Sequence, residues 1–176
     1  MSYLENYFNR VPRELRKSSA IAYMAAFDHL KTNNPFIIEK IIQELQDQRC
    51  FLKLIASENY CSEAVQLAMG NWLTDKYAEG YPYHRFYAGC DNIDAIEATC
   101  VSEAKTIFQC DHAYVQPHSG ADANLVAFWA VLVARIQNKE VEKLGKKNIN
   151  DLSKEEHEQV RQLLVNQKVL GMSLNS

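Results

Sequence analysis

Two short segments carry side chains suited to chemistry. At Ser119-Gly120-Ala121 the pattern predicts a small turn between the end of a strand and the start of an apolar helix. Backbone N–H groups and the positive end of the helix dipole would then point at one place, which suits a phosphate dianion. The Ser119 hydroxyl could add a donor. The alternative is an ordinary helix cap, because serine often caps helices that bind nothing.

The second segment is an aromatic loop around Glu79. Residues 75–91 combine proline, glycine and tyrosine without helical or strand periodicity, which is typical of a functional loop. A carboxylate partly desolvated by tyrosine rings can act as a general acid or base. The alternative is a solvent-exposed glutamate. The neighbouring Arg85, Phe86 and Tyr87 either bind an anionic or planar ligand or pack the loop.

The histidines and cysteines do not have the spacing of a metal site. None of the five histidines pairs with another at i, i+4 on an expected helix, and no CxxC motif is present. We therefore predict no metal. The five cysteines are an odd number without a secretory leader, so we expect reduced thiols, with Cys100 and Cys110 as small buried hydrophobic residues.

The composition indicates a globular protein that acts on small molecules. The 176 residues are 47% hydrophobic and 23% charged, with a net charge of -3. Nucleic acid is not an expected partner, because phosphate neutralisation needs clustered positive side chains. A membrane is not expected either, since no apolar run approaches the roughly 20 residues of a span. We predict a cytoplasmic location.

Helical periodicity accounts for most of the predicted regular structure. The expected helices are residues 18–30, 35–50, a segment following the cap Ser62, 93–108 behind an Asp91-Asn92 cap, 121–137, and a segment from the Ser153/Glu156 capping box to about 167. The expected inward positions are Val65, Ala68 and Met69 after Ser62, then Ile93, Ile96, Cys100, Ala104 and Ile107. Residues 112–116 and 169–172 are predicted strands, and residues 138–150 a lysine-rich loop.

Three segments occur in the order found in a known family. They are residues 54–60 (LIASENY), 73–82 (LTDKYAEGYP) and 115–121 (VQPHSGA) with Asn124. Together they resemble signature segments of serine hydroxymethyltransferase, also called glycine hydroxymethyltransferase. Residues 170–172 with Leu174 resemble the family's next strand.

The resemblance implies an α/β fold and a cofactor. Residues 1–53 would form an N-terminal arm and helix, and residues 54–176 the first strands and helix of an aspartate-aminotransferase-type (fold type I) large domain, which would be incomplete. The cofactor would be pyridoxal 5'-phosphate. The reaction would convert serine plus tetrahydrofolate to glycine plus methylene-tetrahydrofolate in a homodimer.

The resemblance also implies roles for individual residues. Ser119 and Gly120 resemble the cofactor-phosphate cradle, and Glu79 resembles the acid/base of one-carbon transfer. Tyr77 resembles a tyrosine that crosses the dimer interface to the partner's cofactor phosphate. Four further residues resemble substrate-binding positions: Ser57 and Tyr87 near the amino-acid carboxylate, and Phe86 and Leu174 at the folate site.

Two departures from the family are visible. Residues 83–89 read YHRFYAG, where most members have GKRYYGG. One tyrosine hydroxyl that could contact folate is therefore missing, while Phe86 keeps a stacking ring. Residues 136–167 form an insertion that, with the N-terminal arm, resembles the chlamydial-type branch. We expect it to be a surface elaboration without chemistry of its own.

The resemblance further implies that the Schiff-base lysine, which binds the cofactor covalently, lies beyond these residues. We therefore expect the 176-residue chain alone to be inactive, as part of a longer enzyme. Two alternatives remain open at this point. One is a non-catalytic interaction subunit that pairs with an intact protomer, and the other is a sister aldolase of the same fold.

Overall fold

The computed structural model describes residues 1–173. Within that range the chain is mostly helical, with one two-stranded antiparallel sheet. It divides into two compact units, Met1–Lys76 and a second that begins at Tyr77. The sequence-based division after residue 53 falls inside the first unit. No helix among the described residues has both the length and the apolar character needed to cross a bilayer.

The first unit is built from four helices and two 3-10 turns. The helices are α1 (Tyr3–Arg10), α2 (Ser18–Asn33), α3 (Pro35–Cys50) and α4 (Glu63–Met69), and the turns are Arg13–Leu15 and Trp72–Asp75. The predictions for α2, α3 and α4 are confirmed. Pro35 starts α3 because its fixed φ suits a first helical residue, and the Ser62 hydroxyl accepts the Val65 N–H at the start of α4.

The N-terminal arm is a helical hairpin held by a carboxylate. The backbone N–H groups of Tyr3 and Leu4 donate to Asp28 of α2, at 2.6 and 3.0 Å. Burial acts to raise the pKa of Asp28, but these two hydrogen bonds help to lower it below its ordinary value. α1 is therefore joined to α2 by charge-assisted hydrogen bonds at its N-terminus, where the helix dipole also favours a negative charge.

The described part of the second unit contains the hairpin, four helices and one further 3-10 turn. The hairpin pairs β1 (Gly80–Tyr81) with β2 (His84–Arg85). The helices are α5 (Asp91–Phe108), α6 (Gly120–Leu132), α7 (Asn138–Lys143) and α8 (Lys154–Val165), and the 3-10 turn is Ile149–Asp151. A π-helical turn, Val133–Gln137, connects α6 to α7. The capping box of Ser153 and Glu156 at the start of α8 is confirmed.

Several local predictions are wrong. Residues 112–116 and 169–172 are not strands, and no other strand pairs with them within residues 1–173. Residues 138–143 form α7 rather than a loop, because the buried Val141 anchors a segment whose other residues are polar. α5 starts at Asp91, after Cys90, with no side-chain cap.

Most expected inward positions are not buried. Val65 and Met69 on α4, and Ile96 and Ile107 on α5, are exposed, and so are Cys100 and Cys110. The buried hydrophobic residues of the described chain are Ile38, Cys90, Val141 and Val160. Helical periodicity identified which side chains are apolar but not whether a neighbour covers them.

The chain leaves much apolar surface in solvent. Its accessible surface is 14994 Å². Two separate globular units that shared its mass equally would together expose about 10,600 Å². α6 contributes to this larger exposed area, since its sequence is apolar and its side chains Leu125 and Trp129 are 68% and 56% exposed. Helices that are apolar all round normally lie in a protein core.

We expect the 176-residue chain, purified alone, to self-associate and to bind an apolar dye. Leu125→Gln combined with Trp129→Gln should reduce both effects, because these side chains share one face of α6. Analytical ultracentrifugation and dye fluorescence provide the measurement. Glu155→Gln with Arg161→Gln on α8 is the control and should change neither. A monomeric chain with a sharp cooperative thermal transition would contradict the prediction.

Candidate functional site

A buried cation organises the loop around Glu79. Arg85, at the end of β2, has a side chain that is only 4% exposed. Its Nε lies 2.7 Å from Asp94 Oδ1, and its Nη2 lies 2.6 Å from Glu97 Oε2. Both carboxylates project from α5, three residues apart, so they lie on the same face of that helix. The pairs therefore join the hairpin to α5.

The same guanidinium binds the backbone on both sides of Glu79. Arg85 Nη1 donates to the carbonyls of Ala78 and Gly80, each at 2.8 Å. The Glu79 carbonyl accepts the Phe86 N–H at 2.9 Å. Three consecutive carbonyls are thus hydrogen-bonded. The Glu79 side chain is exposed and makes no hydrogen bond or ion pair with any described residue, so its carboxylate is available.

Gln116 connects this loop to the segment that leads into α6. Its Nε2 donates to the Gly80 carbonyl at 2.8 Å and to Glu97 Oε1 at 2.7 Å, and Tyr114 Oη donates to its Oε1 at 3.1 Å. Residues 112–118 are therefore held by side-chain hydrogen bonds rather than by a strand ladder. Ser119 comes directly after this segment, two residues beyond Pro117.

The charges in this cluster stabilise one another. Hydrogen bonds to Glu97 and then to Asp94 raise the pKa of Arg85 above its ordinary value, against the lowering effect of burial. The hydrogen bond from Arg85 holds the pKa of Asp94 below its ordinary value, against the raising effect of burial. The contribution of Asp94 to stability is therefore present above the ordinary aspartate pKa of about 3.9 and is lost as the pH falls through the lower folded value.

The turn before α6 presents unused donors. Ser119 caps the helix, since its Oγ accepts the Asp122 N–H at 3.1 Å, and its carbonyl accepts the Ala123 N–H. The N–H groups of Gly120 and Ala121 donate to no acceptor among residues 1–173. A Cβ on Gly120 would meet nothing within 4 Å. Two free N–H groups, a hydroxyl and a helix N-terminus thus lie together at an open position.

Three aromatic rings next to Glu79 form an exposed cluster. Tyr77 and Tyr87 meet edge to face, with ring centroids 5.6 Å apart, and Phe86 meets Tyr87 in the same way at 5.0 Å. All three rings are exposed. Edge-to-face pairs hold one another in place while leaving ring faces free for a planar ligand.

A cleft of about 360 Å³ lies next to the loop that carries Glu79. Glu79, Gln116 and His118 are among its lining residues, together with Arg85 and Glu97. The structure thus brings Glu79 and the residue preceding Ser119 to one cleft within the second unit. Ser57 lies in an exposed turn of the first unit, and Leu174 lies outside the described residues. No group of three or more metal-type side chains is found in residues 1–173.

The comparisons with known proteins name the family. The family model for serine hydroxymethyltransferase matches residues 30–159 of the chain. The chain belongs to the serine hydroxymethyltransferase family. It is 51% identical over 176 residues to serine hydroxymethyltransferase of Chlamydia muridarum, which covers 99% of this chain and 35% of that protein.

Two further relatives show the same pattern. The chain is 52% identical over 174 residues to serine hydroxymethyltransferase of Chlamydia pneumoniae (99% of this chain, 34% of the relative). It is 52% identical over 163 residues to that of Treponema pallidum (93% of this chain, 28% of the relative). The predicted resemblance to the chlamydial branch is confirmed. The chain spans about a third of the length of these curated relatives.

The family departure at residue 83 has a structural counterpart. Tyr83 has a φ of 64°, in the left-handed region that glycine adopts without strain. The motif set against residues 83–89 in the sequence analysis, GKRYYGG, has glycine at this position. A bulky side chain costs about 1–2 kcal/mol in that region. The hydrogen bond from Arg85 and, to a smaller extent, the backbone N–H of Tyr83 lower the pKa of Asp94, so this turn lies next to the charged cluster.

Sequence reasoning missed the charged cluster. It left Arg85 either as a ligand-binding residue or as a residue that packs the loop, and the structure shows that Arg85 packs the loop. The signal was present, because Asp94 and Glu97 are acidic residues at i, i+3 on a well-predicted helix, just after an arginine. A pair of carboxylates on one helix face with no nearby lysine indicates a partner from another element.

Gly80→Ala should open the hairpin. Gly80 has a φ of 109°, and an added Cβ would lie 2.4 Å from the His84 carbonyl oxygen. We expect the Phe86 amide to lose protection in hydrogen exchange measured on the segment 78–90. Tyr83→Gly is the matched control in the same turn and should keep that protection, because glycine adopts the observed φ freely. Equal protection in Gly80→Ala and the wild type would show that the hairpin does not need this glycine.

Proposed function

We propose that this chain supplies the cofactor-phosphate turn and the acid/base loop of a pyridoxal 5'-phosphate-dependent serine hydroxymethyltransferase. The enzyme would interconvert serine plus tetrahydrofolate and glycine plus methylene-tetrahydrofolate. The observation that carries the proposal is Glu79, whose backbone is held by three hydrogen-bonded carbonyls while its carboxylate stays unengaged in the cleft. A held backbone with a free acid suits proton transfer better than a structural role.

The donors at the start of α6 fit the phosphate of the cofactor. The Ser119 hydroxyl and the N–H groups of Gly120 and Ala121 would hold its oxygens, at a helix end that favours an anion. No side chain on Gly120 blocks the approach. When bound, pyridoxal phosphate supplies an electron sink for the charge that develops on the amino acid. The chain's own contribution is to bind and orient that group.

The remaining site residues have proposed binding roles. Glu79 would hold or release a proton during transfer of the one-carbon unit. Phe86 would stack on the folate ring, and Tyr87, with Ser57, would lie near the amino-acid carboxylate. Two roles depend on other parts of the assembly, namely Tyr77 reaching the partner's cofactor phosphate in a homodimer and Leu174 at the folate site. The aminotransferase-type fold and a cytoplasmic location belong to the same proposal.

The alternatives receive less support. Membership of the serine hydroxymethyltransferase family argues against a sister aldolase. A non-catalytic interaction subunit would explain the exposed apolar surface, but a longer enzyme would explain it equally well. The catalytic proposal gives a role both to an unengaged glutamate on an anchored loop and to the N–H donors at the start of α6.

Ser119→Ala should weaken retention of pyridoxal phosphate. The test uses a full-length protein, meaning a polypeptide of the relatives' length that contains these 176 residues. Loss of the hydroxyl removes a phosphate donor as well as a cap worth about 1 kcal/mol. Cofactor content after dialysis is the measurement. Ser153→Ala removes the matching cap of α8 and is the control. If both variants retain cofactor equally, Ser119 is a cap only.

Glu79→Gln in the full-length protein should preserve cofactor content and depress folate-dependent serine cleavage by about 10²- to 10⁴-fold. The amide keeps the size of the carboxylate but cannot exchange the proton. Serine cleavage is assayed with and without tetrahydrofolate, with Glu103→Gln on the exposed face of α5 as the control. The isolated 176-residue chain is the blank and should show no turnover. Full folate-dependent turnover of Glu79→Gln would show that Glu79 is not the acid/base of the reaction.

A further inference from the structure

We propose that Arg85 is a positioning residue for the reaction. It would hold the peptide that carries Glu79 in the one orientation that brings the carboxylate into the cleft. This inference rests on the proposed function of Glu79. It assigns to Arg85 an effect on turnover beyond its effect on folding, although the guanidinium touches neither substrate nor cofactor.

The first support is the pattern of the backbone contacts. One nitrogen, Nη1, binds the carbonyl before Glu79 and the carbonyl after it, each at 2.8 Å. The carbonyl of Glu79 itself is taken by the Phe86 N–H. Because both peptide planes flanking Glu79 are held, the direction of its Cα–Cβ bond is set by the backbone. The position of the carboxylate then depends only on the rotamer of the Glu79 side chain.

The second support is the geometry of the guanidinium itself. Nε donates to Asp94 and Nη2 donates to Glu97, and with the two bonds from Nη1 these use four of its five N–H groups. The carboxylates of α5 therefore fix the plane of the guanidinium, and the guanidinium fixes the loop. A lysine would keep the charge but presents its donors from a single point, so it cannot reproduce this fork.

The third support links Glu79 to the phosphate turn. Gln116 donates to the Gly80 carbonyl and to Glu97, and it precedes Ser119 by three residues. The same hydrogen-bonded cluster thus controls the loop of Glu79 and the segment that enters α6. In the proposed enzyme a displacement of the Glu79 carboxylate by about 1 Å would cost about 100-fold in rate.

The test is a double-mutant cycle in the full-length protein, with Arg85→Lys, Glu79→Gln and the double variant. We expect Arg85→Lys to lower the kcat of folate-dependent serine cleavage by about 10- to 100-fold. The KM for serine and the cofactor content should stay close to wild type. In the Glu79→Gln background, Arg85→Lys should have no further effect on kcat, because residues that act through one group are not additive.

Arg161→Lys is the matched control, since Arg161 forms an exposed fork with Glu158 on α8. It should leave turnover unchanged. If Arg85→Lys proves insoluble, Gln116→Met replaces it in the cycle. It keeps the side-chain length and removes both donors, and we expect about a tenfold loss of kcat that again disappears beside Glu79→Gln.

Two results would overturn the inference while leaving the proposed function intact. In one, Arg85→Lys lowers kcat by the same factor in both backgrounds, or lowers cofactor content in parallel, as a purely structural residue would. In the other, Arg85→Lys has no effect although Glu79→Gln is impaired. If Glu79→Gln itself is fully active, the proposed function fails first and the inference fails with it.

Discussion

The second unit depends on how it accommodates one buried positive charge. A guanidinium removed from water must find partners for its N–H groups, since an unpaired buried charge is strongly unfavourable. Arg85 finds them on two elements, the carboxylates of α5 and the carbonyls of its own loop. Gly80 is required because a side chain there would collide with the His84 carbonyl. The loop, the hairpin and α5 are thus parts of one electrostatic arrangement rather than separately stable elements.

The polar side chains near Glu79 differ in whether they form hydrogen bonds within the protein, and this difference separates structural residues from the proposed functional one. Arg85, Asp94 and Gln116 look like binding residues by type, yet their hydrogen-bonding groups are almost fully used within the protein. Glu79 is the reverse, since its backbone is anchored and its carboxylate is unused. Binding and catalytic side chains are often found on loops that a rigid scaffold positions, and Glu79 has that arrangement. This contrast carries the functional proposal more firmly than residue type does.

Apolar surface is distributed unevenly over the described residues. α6 and α3 expose hydrophobic side chains such as Trp129 and Ile41, and Leu170 is exposed in a segment without regular secondary structure. The segment from Val133 to Val165 differs, because Val141 and Val160 are buried and α8 packs against the π-helical turn. The insertion is therefore held by its own contacts, whereas α6 is not. Since the chain spans about a third of its relatives' length, the uncovered faces agree with the proposal of a longer enzyme.

The sequence by itself determined what depends on neighbours along the chain. α3 follows from helical periodicity and from Pro35 as a first helical residue, and α8 follows from the cap Ser153, because those signals act within one or two turns. The family was also readable, since contiguous motifs carry it, and the roles of Glu79 and Ser119 stay predictions. Only the tertiary structure decided which of the polar residues are used internally. Arg85 meets Asp94 and Glu97 across 9 and 12 positions, and Gln116 meets Gly80 across 36, and no local pattern specifies a contact at those separations. For the same reason the predicted strands at 112–116 and 169–172 were wrong, because a strand is defined by a hydrogen-bonded partner and the described residues provide none.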